Sequence, residues 1–166
     1  MKKQSTNRLG SRRGNAMIEF ALASLILIPL FFGAFQFGYT FYVYNLLCTQ
    51  IRAASRYGSV RTFNAGNSSS ITAFKTAVKN VVLTGDPSGS GTVIAPGLAA
   101  TNIDVQITGA DGNPASATNI PVNVKVTTAT GDNAYKVNAL IATFSFTGKP
   151  SLQIPYTGQF APIGTE

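Results

Sequence analysis

Catalysis, metal ligation and charge pairing each need particular residue types, and this 166-residue chain holds few of them. It has no histidine, so a nucleophile would lack that base. Cys48 is its one cysteine, so neither an intramolecular disulfide nor a Cys/His zinc site can be built. Asp86, Asp104, Asp111 and Asp132 stand singly in or near turn-rich stretches. Asp104 and Asp111 could hold calcium, and "DGN" at 111–113 has the look of a calcium loop, but no acid follows at the twelfth position. They read as turn residues. No catalytic residue, cofactor or metal is expected, and no phosphate-cradling glycine loop occurs. What remains is "SRRGNAMIEFAL", in which Arg12, Arg13, the small Gly14 and a carboxylate, Glu19, stand before an apolar run. A carboxylate at that threshold is costly unless a cation joins it. The bland alternative is an acid that meets the dipole of a helix N-terminus.

The element that positions these residues is the run itself. From Phe20 to Ile51 there are 32 residues without a charge, more than the ~20 that a helix needs to cross a bilayer. Residues 20 to about 40 are the expected span, in a long helix over 15–62. Lys2, Lys3, Arg8, Arg12 and Arg13 precede it, whereas Arg52, Arg56 and Arg61 follow, so the excess of cations places the N-terminus in the cytoplasm and the rest outside. The formal charge of +7 has the same origin. Beyond Gly14, eight basic and six acidic groups leave +2, so no nucleic-acid partner is expected. A secretory signal peptide should end its shorter apolar core at a small-residue site, and a lipoprotein should carry a small residue before the modified cysteine. Here the run continues through "GAFQFGYTFYVYNLL", and Leu47 precedes Cys48.

"RRGNAMIEFAL" resembles the processing site of type IV prepilins, in which a basic leader and a glycine precede an apolar helix with glutamate at its fifth mature position. The wider stretch "GNAMIEFALASLILIPLFFGAFQFGYTF" resembles the TadE-like pilins of the tight-adherence (Flp) pilus, over residues 10 to 61. The resemblance implies removal of a leader, residues 1–14, by a prepilin peptidase that cuts between Gly14 and Asn15. It also implies that Glu19 neutralises the new N-terminal amine of a neighbouring subunit, and that the new terminus is methylated. Asn15 departs from the aromatic residue found there in many type IV pilins. Implied partners are the peptidase, other pilin subunits, the inner-membrane assembly platform and the lipid bilayer. The implied role is a minor pilin or pseudopilin in assembly or priming of an adhesive pilus, a single-pass inner-membrane protein with a periplasmic C-terminal domain that can enter an extracellular pilus. The alternative is a membrane-anchored periplasmic or cell-surface binding module that stays out of a pilus.

The remaining chain predicts an α+β, pilin-like fold. Pro29 removes a backbone hydrogen bond inside the span and should kink it, either to curve the subunit or as a tolerated proline. Eight aromatics between Phe31 and Tyr44 suit an interfacial belt or subunit packing. Leu47, Ile51, Ala54 and Gly58 share a helical stripe, with Arg52 and Arg56 on another face, and Cys48 reads as a small packed hydrophobe. Residues 63–85 predict a short helix capped by Ser69 or Ser70, with Ile71, Phe74, Val78, Val81 and Val82 inward, Lys75 and Lys79 solvated, and Gly85 as terminator. An exported β-rich domain over 86–166 opens with a turn-rich hinge, "GDPSGSGTVIAPG". It continues with strands in "NIDVQIT", "IPVNVKVTTAT" and "SLQIPYTGQF". "ADGNPA" joins the first two as a hairpin with a long loop. In the second, Ile120, Val122, Val124 and Val126 should face one side, and Asn123 and Lys125 the other. A helix is expected from about Asn133 to Ala142.

Overall fold

Helix-compatible apolar residues carry one helix, α1, from Gly10 to Val60 in the computed structural model, which describes residues 10–116, 118–138 and 142–161. The basic residues before Gly10 lie outside the described residues. α1 has 51 residues and is about 75 Å long at 1.5 Å per residue. It is continuous through Pro29, whose missing N–H leaves the Leu25 carbonyl without an intrahelical donor. The other end is closed by tertiary contacts. Thr157 N–H donates to the Ser59 carbonyl (2.8 Å), Phe63 N–H donates to the Gln159 carbonyl (3.0 Å), and the Tyr156 hydroxyl lies 2.7 Å from the Arg61 carbonyl. The contacts to Ser59 and Arg61 occupy carbonyls that a helix C-terminus otherwise leaves unpaired.

A two-residue strand, β1 (Phe63–Asn64), precedes the second helix, α2 (Ser68–Thr84), and pairs in parallel with β7 (Phe160–Ala161). The cap of α2 is Asn67, not the expected Ser69 or Ser70. Asn67 has extended backbone, and its side-chain oxygen accepts from Ser69 N–H at 2.9 Å and Ser70 N–H at 3.4 Å. Phe74, Val78, Val81 and Val82 are buried as expected, and Ile71 is half-buried. Gly85 ends the helix at φ 78°, a conformation that favours glycine.

β2 (Ile103–Gly109) and β3 (Pro121–Thr128) form the expected antiparallel hairpin, and β6 (Ser151–Pro155) adds to β3, giving the order β2-β3-β6. Val105 faces Val126, and Val126 in turn faces Leu152. Val124 and Val126 are buried, but Val122 and Ile120, expected on the same inward face, are exposed. The register explains the difference: Thr108 faces Asn123 but Gly109 faces Pro121, so Val122 is skipped as a bulge and the alternation of faces shifts, leaving Pro121 buried.

The helix expected over Asn133 to Ala142 is absent from its described part. Tyr135–Asn138 is instead a strand, β4, paired antiparallel with β5 (Thr143–Phe146). Residues 139–141 lie outside the described residues. Tyr135 and Val137 are buried while Lys136 and Asn138 are exposed, a period-two pattern that suits a strand and that pairing with β5 fixes as one. The expected hinge is tied down. Ile94 N–H donates to the Leu83 carbonyl (2.9 Å), Ala95 and Leu98 are buried, and the Tyr135 hydroxyl donates to the Pro96 carbonyl (2.9 Å). The core joins Val43, Leu47, Ile51 and Ala54 of α1 to α2 and to the inner faces of β2, β3 and β4.

Candidate functional site

Gly14, Asn15 and Glu19 lie in the first turns of α1, and all three are exposed. Asn15 and Glu19 are four apart, so they share one face of the helix. The backbone at Gly14 is helical, not extended, and a Cβ added there would meet nothing within 4 Å. From Gly14 to Phe35 every side chain is exposed except the half-buried Ser24, and Pro29 sits within this bare stretch. The 22 residues rise about 33 Å, close to the ~30 Å of a bilayer core. α1 is thus long and apolar enough to cross a membrane, with a mean hydropathy of 2.2 over its most apolar window.

The bare stretch stops at Gln36, which is only 4% exposed. Its side-chain Nε2 donates to the Ala142 carbonyl at 2.5 Å, and its Oε1 accepts from Ala142 N–H at 3.2 Å. One amide side chain thus occupies both polar groups of a backbone residue 106 positions away. Thr40 is also buried and donates back to the Gln36 carbonyl (2.9 Å). The expected outer limit of the span is near residue 40, whereas the domain docks from residue 36. The available signal was Gln36 itself, an amide within an aromatic, uncharged run.

Of the eight aromatics, only two turn inward and Phe32 is exposed with the rest. Tyr39 and Tyr44 turn toward the domain, Tyr44 against Phe146 with centroids 5.6 Å apart, whereas Phe31, Phe35, Phe37, Phe41 and Tyr42 are exposed. Further along, Leu47, Ile51, Ala54 and Gly58 are buried while Arg52 and Arg56 are exposed, as the stripe required. Cys48 is a half-buried free thiol in a cleft of about 260 Å³ with Tyr44, Arg52 and Lys149.

The family model described as TadE-like protein covers residues 14 to 56. Residues 14–56 match the TadE-like family. No curated protein and no solved structure matches the chain. The TadE-like segment begins at the glycine of the arginine–glycine motif, takes in Glu19, Pro29 and Gln36, and ends inside α1. The β-rich region lies beyond it.

Away from the TadE-like segment, polar groups serve the fold. The Asp111 carboxylate accepts from Asn113 N–H (3.0 Å), Asn113 Nδ2 (2.9 Å) and Asn119 Nδ2 (2.5 Å), and these bonds, chiefly the one from the Asn113 side chain, hold its pKa below the usual value. Asp86 is lowered by Ser88, first through its backbone N–H. Asp104 accepts from Gln106 at 2.8 Å. Burial pushes the phenols of Tyr135 and Tyr156 up. Among the described residues, no three His, Cys, Asp or Glu side chains come together as metal ligands. A groove of about 810 Å³ between the end of α1 and the outer face of α2 is lined by Tyr57, Arg61, Ser69, Thr72, Thr76 and Asn80, without a paired acid and base.

Proposed function

We propose that the chain is a minor pilin or pseudopilin of a tight-adherence pilus, a structural subunit and not an enzyme. The observation that carries this reading is the division of one helix. A bare apolar half with Glu19 near its head continues into a half packed on its own domain, and the TadE-like match runs across the junction. A subunit of this form sits in the inner membrane before assembly, and its bare half then packs against other subunits. The cationic tail favours a cytoplasmic N-terminus and a periplasmic domain.

In this reading a prepilin peptidase hydrolyses the Gly14–Asn15 bond. Water adds to the Gly14 carbonyl carbon, the C–N bond breaks, the leader departs with a Gly14 carboxylate, and Asn15 keeps a protonated α-amine. The peptidase needs an extended backbone, so the first turn of α1 must open. Glycine makes that opening cheap, since it disfavours helix by about 1 kcal/mol relative to alanine. Cleavage creates a cation one turn from Glu19, and in an apolar environment each charge alone costs several kcal/mol more than the pair. The pairing across subunits sets the axial register of the incoming helix against the assembly platform.

Mass spectrometry of the N-terminus from peptidase-competent cells should find Asn15, free or methylated. An intact Met1 would sink the pilin reading and favour the anchored binding module. Separately, Glu19→Ala should leave cleavage largely intact while assembly into pili drops; unchanged piliation would remove the pairing role.

A further inference from the structure

Resting on the reading that Gly14–Phe35 spans the bilayer, we propose that the Asn138 and Thr143 end of the β4–β5 hairpin lies in the headgroup layer, with Phe144 as its interfacial anchor. The exported domain then holds the membrane at a second point beside the helix. Two contacts fix the hairpin against α1. Ala142 is bound to Gln36, and Phe146 stacks on Tyr44. Gln36 to Tyr44 is about 12 Å of helix, and Ala142 to Phe146 is about 13 Å of strand, so the two run side by side. Phe144 is therefore about 6 Å beyond the level of Gln36, where the bare span ends. The headgroup zone on each side of a bilayer is about 5–7 Å deep, which puts Phe144 within it.

Phe144 is 39% exposed, although its cross-strand partner Val137 is buried. A large aromatic left half-open at this height suits the interface, where aromatic rings concentrate. Phe41 and Tyr42 of α1 are exposed at nearly the same level. The other hairpin residues suit the same layer. Asn138, Thr143 and Ser145 are polar and exposed, with the Thr143 hydroxyl 3.0 Å from Asn138 Oδ1. The exposed Lys136 is the hairpin's one charge, and residues 135–146 contain no acid, a balance that favours an anionic lipid surface.

The chain has no tryptophan, so one substitution installs a sole reporter. Full-length Phe144→Trp, reconstituted in vesicles of phosphatidylcholine and phosphatidylglycerol, should be quenched about twofold or more strongly by a headgroup spin label than by a label at the bilayer centre, as expected for an interfacial ring. Leu25→Trp, at mid-span, should show the reverse order, and Val93→Trp, on the connector, should respond to neither. Thr143→Trp repeats the measurement should Phe144→Trp fold poorly. If the Leu25 reporter is quenched while those at 143 and 144 are not, the second contact is wrong and the span stands. If the Leu25 reporter is unquenched too, the span reading falls and takes this inference with it. Emission that is shielded from water, insensitive to lipid quenchers and shifted by dilution would show a second copy covering Phe144, which also overturns the inference.

Discussion

The two halves of α1 are made of similar residues in different surroundings. Leu25 is 71% exposed and Leu47 is fully buried, yet both are leucines in the same uncharged run. In the first half apolar side chains surround the helix on every side, as lipid or neighbouring helices require. In the second they narrow to the stripe Leu47, Ile51, Ala54 and Gly58, which a folded domain covers. Hydrophobicity alone marks both as places that avoid water, and its angular distribution tells which cover is used.

The sharpest way to break this comparison is a matched pair of truncations. Leu47→Ala should cost the C-terminal domain about 3 kcal/mol, whereas Leu25→Ala should leave its stability unchanged. Urea unfolding of the detergent-solubilised chain, followed by tyrosine near-UV circular dichroism, separates them; equal losses would mean that the first half also packs on the domain.

The glycines offer a smaller contrast. A Cβ at Gly58 would lie 3.2 Å from Val78 Cγ2 and 3.3 Å from Val124 Cγ1, while one at Gly33 meets nothing within 4 Å. Gly58→Val should thus cost about 2 kcal/mol through overpacking, and Gly33→Val should not affect the domain in the same assay. The smallest effect has the opposite sign. Ser55 is fully buried, and its hydroxyl has no hydrogen-bond partner among the described residues. Ser55→Ala should raise stability by about 1 kcal/mol, while Ser24→Ala in the bare half should change nothing. A loss on Ser55→Ala would show that the hydroxyl is bonded in solution.

Much of this was legible in local pattern. The stripe of α1, the inward residues of α2, Gly85 as terminator and the hairpin around "ADGNPA" all follow from periodicity and turn chemistry, which act over a few residues. The misses concern choices that local chemistry leaves nearly balanced. In "NSSS" all four residues can cap a helix, and the extended backbone at Asn67 decides among them. "YKVN" could close a helix or form a strand, and pairing with β5 selects the strand. β1 and β7 are two residues each, too short for a pattern, and exist only because the chain ends of α1 and β6 meet.

For the candidate site the division is similar. The sequence by itself determined the motif of Arg12, Arg13, Gly14 and Glu19, the uncharged run behind it and the TadE-like resemblance, because charge, size and apolar length are properties of the chain in order. Only the tertiary structure decided where the bare helix ends. That boundary depends on Gln36 exchanging water for the backbone of Ala142, a partner 106 residues away whose position no local propensity encodes.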